Sequence, residues 1–141
     1  MNSKLESLRQ TLQDGGYTCV ALVGEERFTS RERGVKPLLD FLNSGRSFKG
    51  SLAADKTVGA GAAHLYVLLG TSVLWANVIS ESALAVLKNN NIEVYYSELV
   101  PHIINRKGDG VCPIETAVKN AKSSAEAHRL IIDSLEKLQK K

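Results

Sequence analysis

Two stretches of the chain, 17–23 and 72–79, run almost without polar interruption. Apolar runs of that length without alternation predict strands buried on both faces. Elsewhere the apolar positions follow helical spacing. Leu5, Leu8 and Leu12 share one face of a helix over 3–13, opened by a Ser3–Glu6 capping box and closed by Asp14-Gly15-Gly16. A turn at Gly24-Glu25-Glu26 sends the chain back as a second strand, 27–30, antiparallel to the first. Pro37 opens a short helix that Gly45 stops. An extended stretch at 51–54 then leads into a helix predicted over 56–69, with Val58, Ala62, Leu65 and Leu69 facing inward. After the second apolar run comes a helix over 80–90, with Leu84 and Leu87 inward. Asn89-Asn90-Asn91 suits its end, because asparagine tolerates the left-handed conformation. A strand over 92–97, an irregular connector over 101–111 and a short helix over 113–120 follow. The chain closes with a long amphipathic helix over 123–140, where Ser123 and Glu126 repeat the capping box.

Strands connected through a helix pair in parallel by right-handed crossovers, whereas a tight hairpin is antiparallel. The order therefore predicts an α/β protein: one domain over 1–141, a three-layer α/β/α sandwich with a mixed sheet of about five strands. In such sheets ligands bind beyond the carboxyl ends of the strands, where helix N-termini converge. Three helix starts fall on that rim: Asp55-Lys56-Thr57, Ser80-Glu81-Ser82 and Cys112-Pro113-Ile114-Glu115.

Gly59 and Gly61 lie inside the predicted third helix, where a glycine costs roughly 1 kcal/mol relative to alanine. Close packing onto the sheet would justify them. So would close approach of an anion to the helix start, where free amides and the dipole favour negative charge. Lys56 would add a cation there. Asp55 and Ser80 read as helix caps or as ligand contacts, and Ser82 sits one residue into the first turn. Cys112 precedes a proline-started helix, a position that lowers thiol pKa. Glu115, three residues on, would oppose that shift, and a packed structural cysteine is the plainer reading. His102 could act as a base only if the connector folds back.

Composition narrows the picture. A net charge of +3 comes partly from Lys137, Lys140 and Lys141 on a basic tail, while Arg27, Arg31, Arg33 and Lys36 are diluted by Glu25, Glu26 and Glu32. Nucleic-acid binders show an undiluted basic stripe with stacking aromatics, so nucleic acid is not an expected partner. Cys19 and Cys112 lack CxxC spacing, and His64, His102 and His128 form no metal-binding pattern. No apolar run approaches a membrane span and no signal region opens the chain, so a cytoplasmic, reduced protein is expected.

Gly34-x-x-Pro37-Leu38-Leu39, Ala54-Asp55-Lys56-x-x-Gly59, Ile79-Ser80-x-x-Ala83-Leu84, Leu99-Val100-Pro101-x-Ile103-x-Asn105-Arg106 and Cys112-Pro113-x-Glu115 stand in an order that is specific although each motif is weak. In that order the chain resembles the bacterial domain-of-unknown-function family 1893, over about residues 17–133. The resemblance implies a cytidine-deaminase-like fold. It departs at Ala60, where that family often carries a lysine. A zinc deaminase places HxE at one helix start and PCxxC at the next. The corresponding starts here, Asp55-Lys56-Thr57 and Ile79-Ser80-Glu81-Ser82, put neither histidine nor cysteine at the ligand positions. Without a metal, water keeps a pKa of about 15.7 instead of about 7, and hydroxide attack loses its nucleophile. The expected function is binding of a nucleotide-like or other anionic small molecule, without cofactor or metal, by Asp55, Lys56, Gly59, Ser80, Ser82, Cys112 and Glu115. The alternatives are an enzyme of non-zinc chemistry using Cys112 or Asp55, and a homo-oligomeric scaffold built on helix faces such as 80–90.

Overall fold

The computed structural model describes residues 2–105 and 107–139, with side chains of the last helix described as far as Lys137. The chain runs α1 (Ser3–Gly15), β1 (Cys19–Val23), β2 (Glu26–Ser30), α2 (Lys36–Asn43), β3 (Leu52–Val58), α3 (Ala60–Leu69), β4 (Val73–Ser80), α4 (Glu81–Asn89), β5 (Glu93–Val100), α5 (Pro113–Ala117) and α6 (Ser124–Gln139). The strands form one five-stranded sheet in the order β2-β1-β3-β4-β5. β1 is antiparallel to both β2 and β3, and β3, β4 and β5 are parallel. This is the expected three-layer α/β/α sandwich with a mixed sheet.

The layers follow from the apolar pattern. Leu5, Leu8 and Leu12 of α1 bury against Val20, Ala54 and Trp75 on one face of the sheet. The larger core lies on the other face, where Leu38, Leu65, Leu74, Ile79, Leu87 and Ile131 join side chains from α2, α3, α4 and α6. Each such side chain removed from water contributes about 1.5–3 kcal/mol. α3 is apolar almost all round, and Ala60 through Tyr66 are all buried. A helix without a polar face belongs in the interior, and α3 packs against the sheet and against α2, α4, α5 and α6. The near absence of polar side chains on α3, not a periodic stripe, decides its place.

The main departure from the sequence reading lies just before α3. Residues 55–58 continue β3 instead of starting a helix. Cys19 pairs with Asp55, the amide of Lys56 donates to Thr18 O at 2.9 Å, and Thr57 and Val58 pair with Val78 and Ile79. Asp-Lys-Thr has the composition of a helix start, but β1 pairs as far as Asp55 and Lys56 and β4 pairs Asp55, Thr57 and Val58, and pairing overrides local preference. The helix begins instead at Gly59, an N-cap with extended backbone (φ −94°, ψ 178°).

Smaller differences concern the caps. Asn2, not Ser3, caps α1, its Oδ1 accepting the Leu5 amide at 2.8 Å. Ser123 accepts the Glu126 amide at 3.1 Å as expected, but Glu126 reaches back to the Lys122 amide at 3.4 Å. β5 runs on to Val100 and α5 stops at Ala117. Asn91, at φ 60°, takes the left-handed turn after α4. Arg27 donates to Ser7 and Thr11 and Arg31 to Gly15 O, so these arginines tie β2 to α1. Arg106, Lys140 and Lys141 lie outside the described residues. No helix among the described residues is long and apolar enough to cross a membrane.

Candidate functional site

Three helix starts meet at one carboxylate. Glu115, in the first turn of α5, is only 6% exposed. Its Oε1 accepts the Ser82 hydroxyl at 3.0 Å and the Ala60 amide at 3.4 Å, and its Oε2 accepts the Ile103 amide at 2.6 Å. Ser82 Oγ lies 3.3 Å from Ser80 Oγ, and Ser80, wholly buried, caps α4 by accepting the Ala83 amide at 3.2 Å. A buried carboxylate is tolerated when its oxygens are hydrogen-bonded, and the positive end of α3 favours a negative group beside Ala60. Glu115 thus supplies from within the chain the anion that the α3 start attracts.

The glycines make this closure sterically possible. A Cβ on Gly59 would stand 3.2 Å from Ile103 Cγ1 and 3.7 Å from Glu115 Oε1, and one on Gly61 would run into Ile114 Cγ2. Gly61 therefore serves close packing, here against α5. The connector does fold back: the Cys112 amide donates to Ile103 O at 2.8 Å, and Ile104 bridges Val111.

Beside Glu115 opens a cleft of about 660 Å3 whose lining includes Ala60, His64, Ser82, His102, Lys119, Lys122, Ser123 and Ser124. His64 Nδ1 lies 3.0 Å from Ser124 Oγ, and burial lowers the imidazole pKa. This pair is absent from the sequence reading. One member is a lone polar residue inside an apolar helix and the other sits sixty positions later, so only the packing of α3 against α6 joins them.

Of the expected site residues, Gly59, Ser80, Ser82 and Glu115 come together. Cys112 is adjacent, a half-buried N-cap of α5 whose side chain makes no capping bond. Asp55 and Lys56 do not belong to a helix start. Lys56 is exposed on β3. Asp55 is 8% exposed, with Oδ2 accepting the Tyr66 hydroxyl at 2.6 Å and Oδ1 the Thr57 amide at 3.2 Å. Cys19 Sγ stands 3.3 Å from the same Tyr66 oxygen. Desolvation pushes Asp55 up to about 7, against the opposing pull of the Tyr66, Thr57 and Lys56 hydrogen bonds. Burial also drives the Cys19 thiol and Tyr66 phenol well up. Among the described residues, no three His, Cys, Asp or Glu side chains are grouped to hold a metal ion.

Residues 7–135 match the family described as TM1506, domain of unknown function (DUF1893). The chain belongs to the DUF1893 family. The match takes in most of α1, ahead of the motifs that carried the resemblance. The crystal structure of the DUF1893 family protein TM1506 from Thermotoga maritima is similar with a TM-score of 0.86, at 25% identity, covering 94% of this chain and 91% of that one. No curated protein matches the chain.

Proposed function

We propose that this DUF1893 chain has a cytidine-deaminase-like fold without zinc-deaminase chemistry, and that its cleft binds an anionic, nucleotide-like small molecule. The observation that supports this reading is the lining of the cleft: Lys119, Lys122, His64 and His102 border the same space of about 660 Å3 as Glu115. Ligand pockets typically enclose about 300–1,000 Å3, which suits a nucleotide. Glu115 already takes up the Ala60 amide and the Ser82 hydroxyl, so an anionic group does not belong at that end. It belongs toward Lys119 and Lys122, the two lysines on the lining. The free acceptor capacity of Glu115 suits a donor edge of the ligand, such as an exocyclic amine.

Thermal unfolding in the presence of cytidine 5′-monophosphate, adenosine 5′-monophosphate or inorganic phosphate tests this reading. A nucleotide is expected to raise Tm, since binding at a hundredfold excess over Kd contributes about 2.7 kcal/mol. K119A/K122A should remove that rise while leaving ligand-free stability within about 0.5 kcal/mol, because both lysines are exposed. No rise with either nucleotide, or an undiminished rise in the double variant, would sink the reading. A second reading, assembly into a homo-oligomer, is favoured by the open edge of β5, where Tyr96 and Leu99 are exposed.

A further inference from the structure

We infer that Ser124 and His64 form a nucleophile–base pair that hydrolyses a carboxylic ester of an anionic small molecule. The inference rests on the proposed cleft ligand for the charge of the substrate, but not for the chemistry of the pair.

Ser124 Oγ and His64 Nδ1 are 3.0 Å apart, within the reach a nucleophile and its base require, and both residues line the cleft. His64 is held on α3, buried on most of its surface, and Ser124 is half-buried at the first position of α6. Desolvation keeps the imidazole neutral at pH 7, so Nδ1 can accept the hydroxyl proton when Nε2 carries the ring hydrogen. The start of α6 also carries unused backbone donors. The Glu126 amide is taken by Ser123 Oγ, whereas the Ser124 and Ala125 amides have no acceptor among the described residues. Free amides at the start of a sixteen-residue helix are donors of the kind that stabilise tetrahedral intermediates. Lys122, two residues before Ser124, places a cation on the same stretch of the lining.

In the first step Ser124 Oγ bonds to the ester carbonyl carbon as its proton passes to His64 Nδ1. The bond from that carbon to the alcohol oxygen then breaks, and the leaving alkoxide takes the proton from His64, leaving acyl-Ser124. Water next adds to the acyl carbon while His64 accepts one of its protons. The acyl–Oγ bond breaks and that proton returns to Ser124. The sum is ester plus water to acid plus alcohol, with no change of oxidation state.

A purely structural role, in which the hydroxyl only satisfies a buried imidazole, predicts no special reactivity. The test is to incubate the full chain with a neutral fluorophosphonate, then locate and time any adduct by intact-mass spectrometry and peptide mapping. One phosphonyl group per chain is expected at Ser124, none in Ser124→Ala, and at least about a hundredfold slower labelling in His64→Gln, the usual contribution of a general base. No adduct at Ser124, or equal rates in His64→Gln, overturns the inference. Ser124→Cys gives a check independent of the His64 variant's folding: its thiol should alkylate with iodoacetamide faster than free cysteine, and a rate no faster overturns the pairing. K119A/K122A separates the two readings, because labelling by the neutral reagent should persist there whatever happens to nucleotide binding.

Discussion

Asp55 is the residue whose role changes most between sequence and structure. As a helix cap it would be solvated and ionised. As a strand residue facing Tyr66 it is desolvated, and its pKa rises to about 7 from an ordinary 3.8. The folded state therefore holds this proton more tightly than the unfolded state does. The associated stability is fully present below about pH 4, falls as pH rises toward 7, and is level above. A difference of about three pKa units corresponds to about 4 kcal/mol across that window. Asp55→Asn keeps a neutral acceptor for Tyr66 and should flatten this dependence, matching or exceeding the parent chain at pH 8. Urea unfolding at pH 5 and pH 8 measures it. Equal pH dependence in both proteins would show that Asp55 is ionised in the fold.

At the scale of elements, α3 sets the geometry of the cleft. Its buried surface brings the start of the helix under α5, and Gly61 sets how close α5 can come. Gly61→Ala gains about 1 kcal/mol of helix propensity. It also drives a methyl group into Ile114, an overpacking that costs roughly 1–3 kcal/mol. A net loss of thermal stability is expected, together with weaker nucleotide stabilisation, because α5 carries Glu115. A variant as stable as the parent would mean that α5 yields freely and does not hold Glu115 in place. The same element explains an ambiguity in the sequence. Two glycines after Asp-Lys-Thr read as interior helix positions justified by close packing or by an anion, whereas one caps α3 and the other admits Ile114.

At the scale of the molecule, the sheet is capped unequally. β2, at one edge, is tied down to α1 by Arg27 and Arg31. β5, at the other, leaves Tyr96 and Leu99 exposed, with Ile104 and Val111 exposed on the connector that follows. Leu87 of α4 is wholly buried, so that side chain belongs to the core. An open edge strand is a template for pairing with another chain. If assembly occurs, it should run through β5: sedimentation velocity would show a concentration-dependent oligomer that Leu99→Lys reduces to monomer. An oligomer unaffected by Leu99→Lys would place the interface elsewhere.

The residues alone determined the element order, the mixed sheet, the caps at Ser80 and Ser123, and the rim on which Ser80, Ser82 and Glu115 meet. These were legible because they depend on local spacing and on the connection rules for strands and helices. The extent of β3, the burial of Asp55, the capture of three helix starts by Glu115 and the meeting of His64 with Ser124 were decided by tertiary structure. Each depends on partners distant in the chain: two flanking strands that pair with residues 55–58, a connector that folds back over α3, and a final helix that brings its first serine to a histidine on another element. No window of sequence contains both halves of such a contact, and the hydrogen bonds that decide it exist only once the layers have packed.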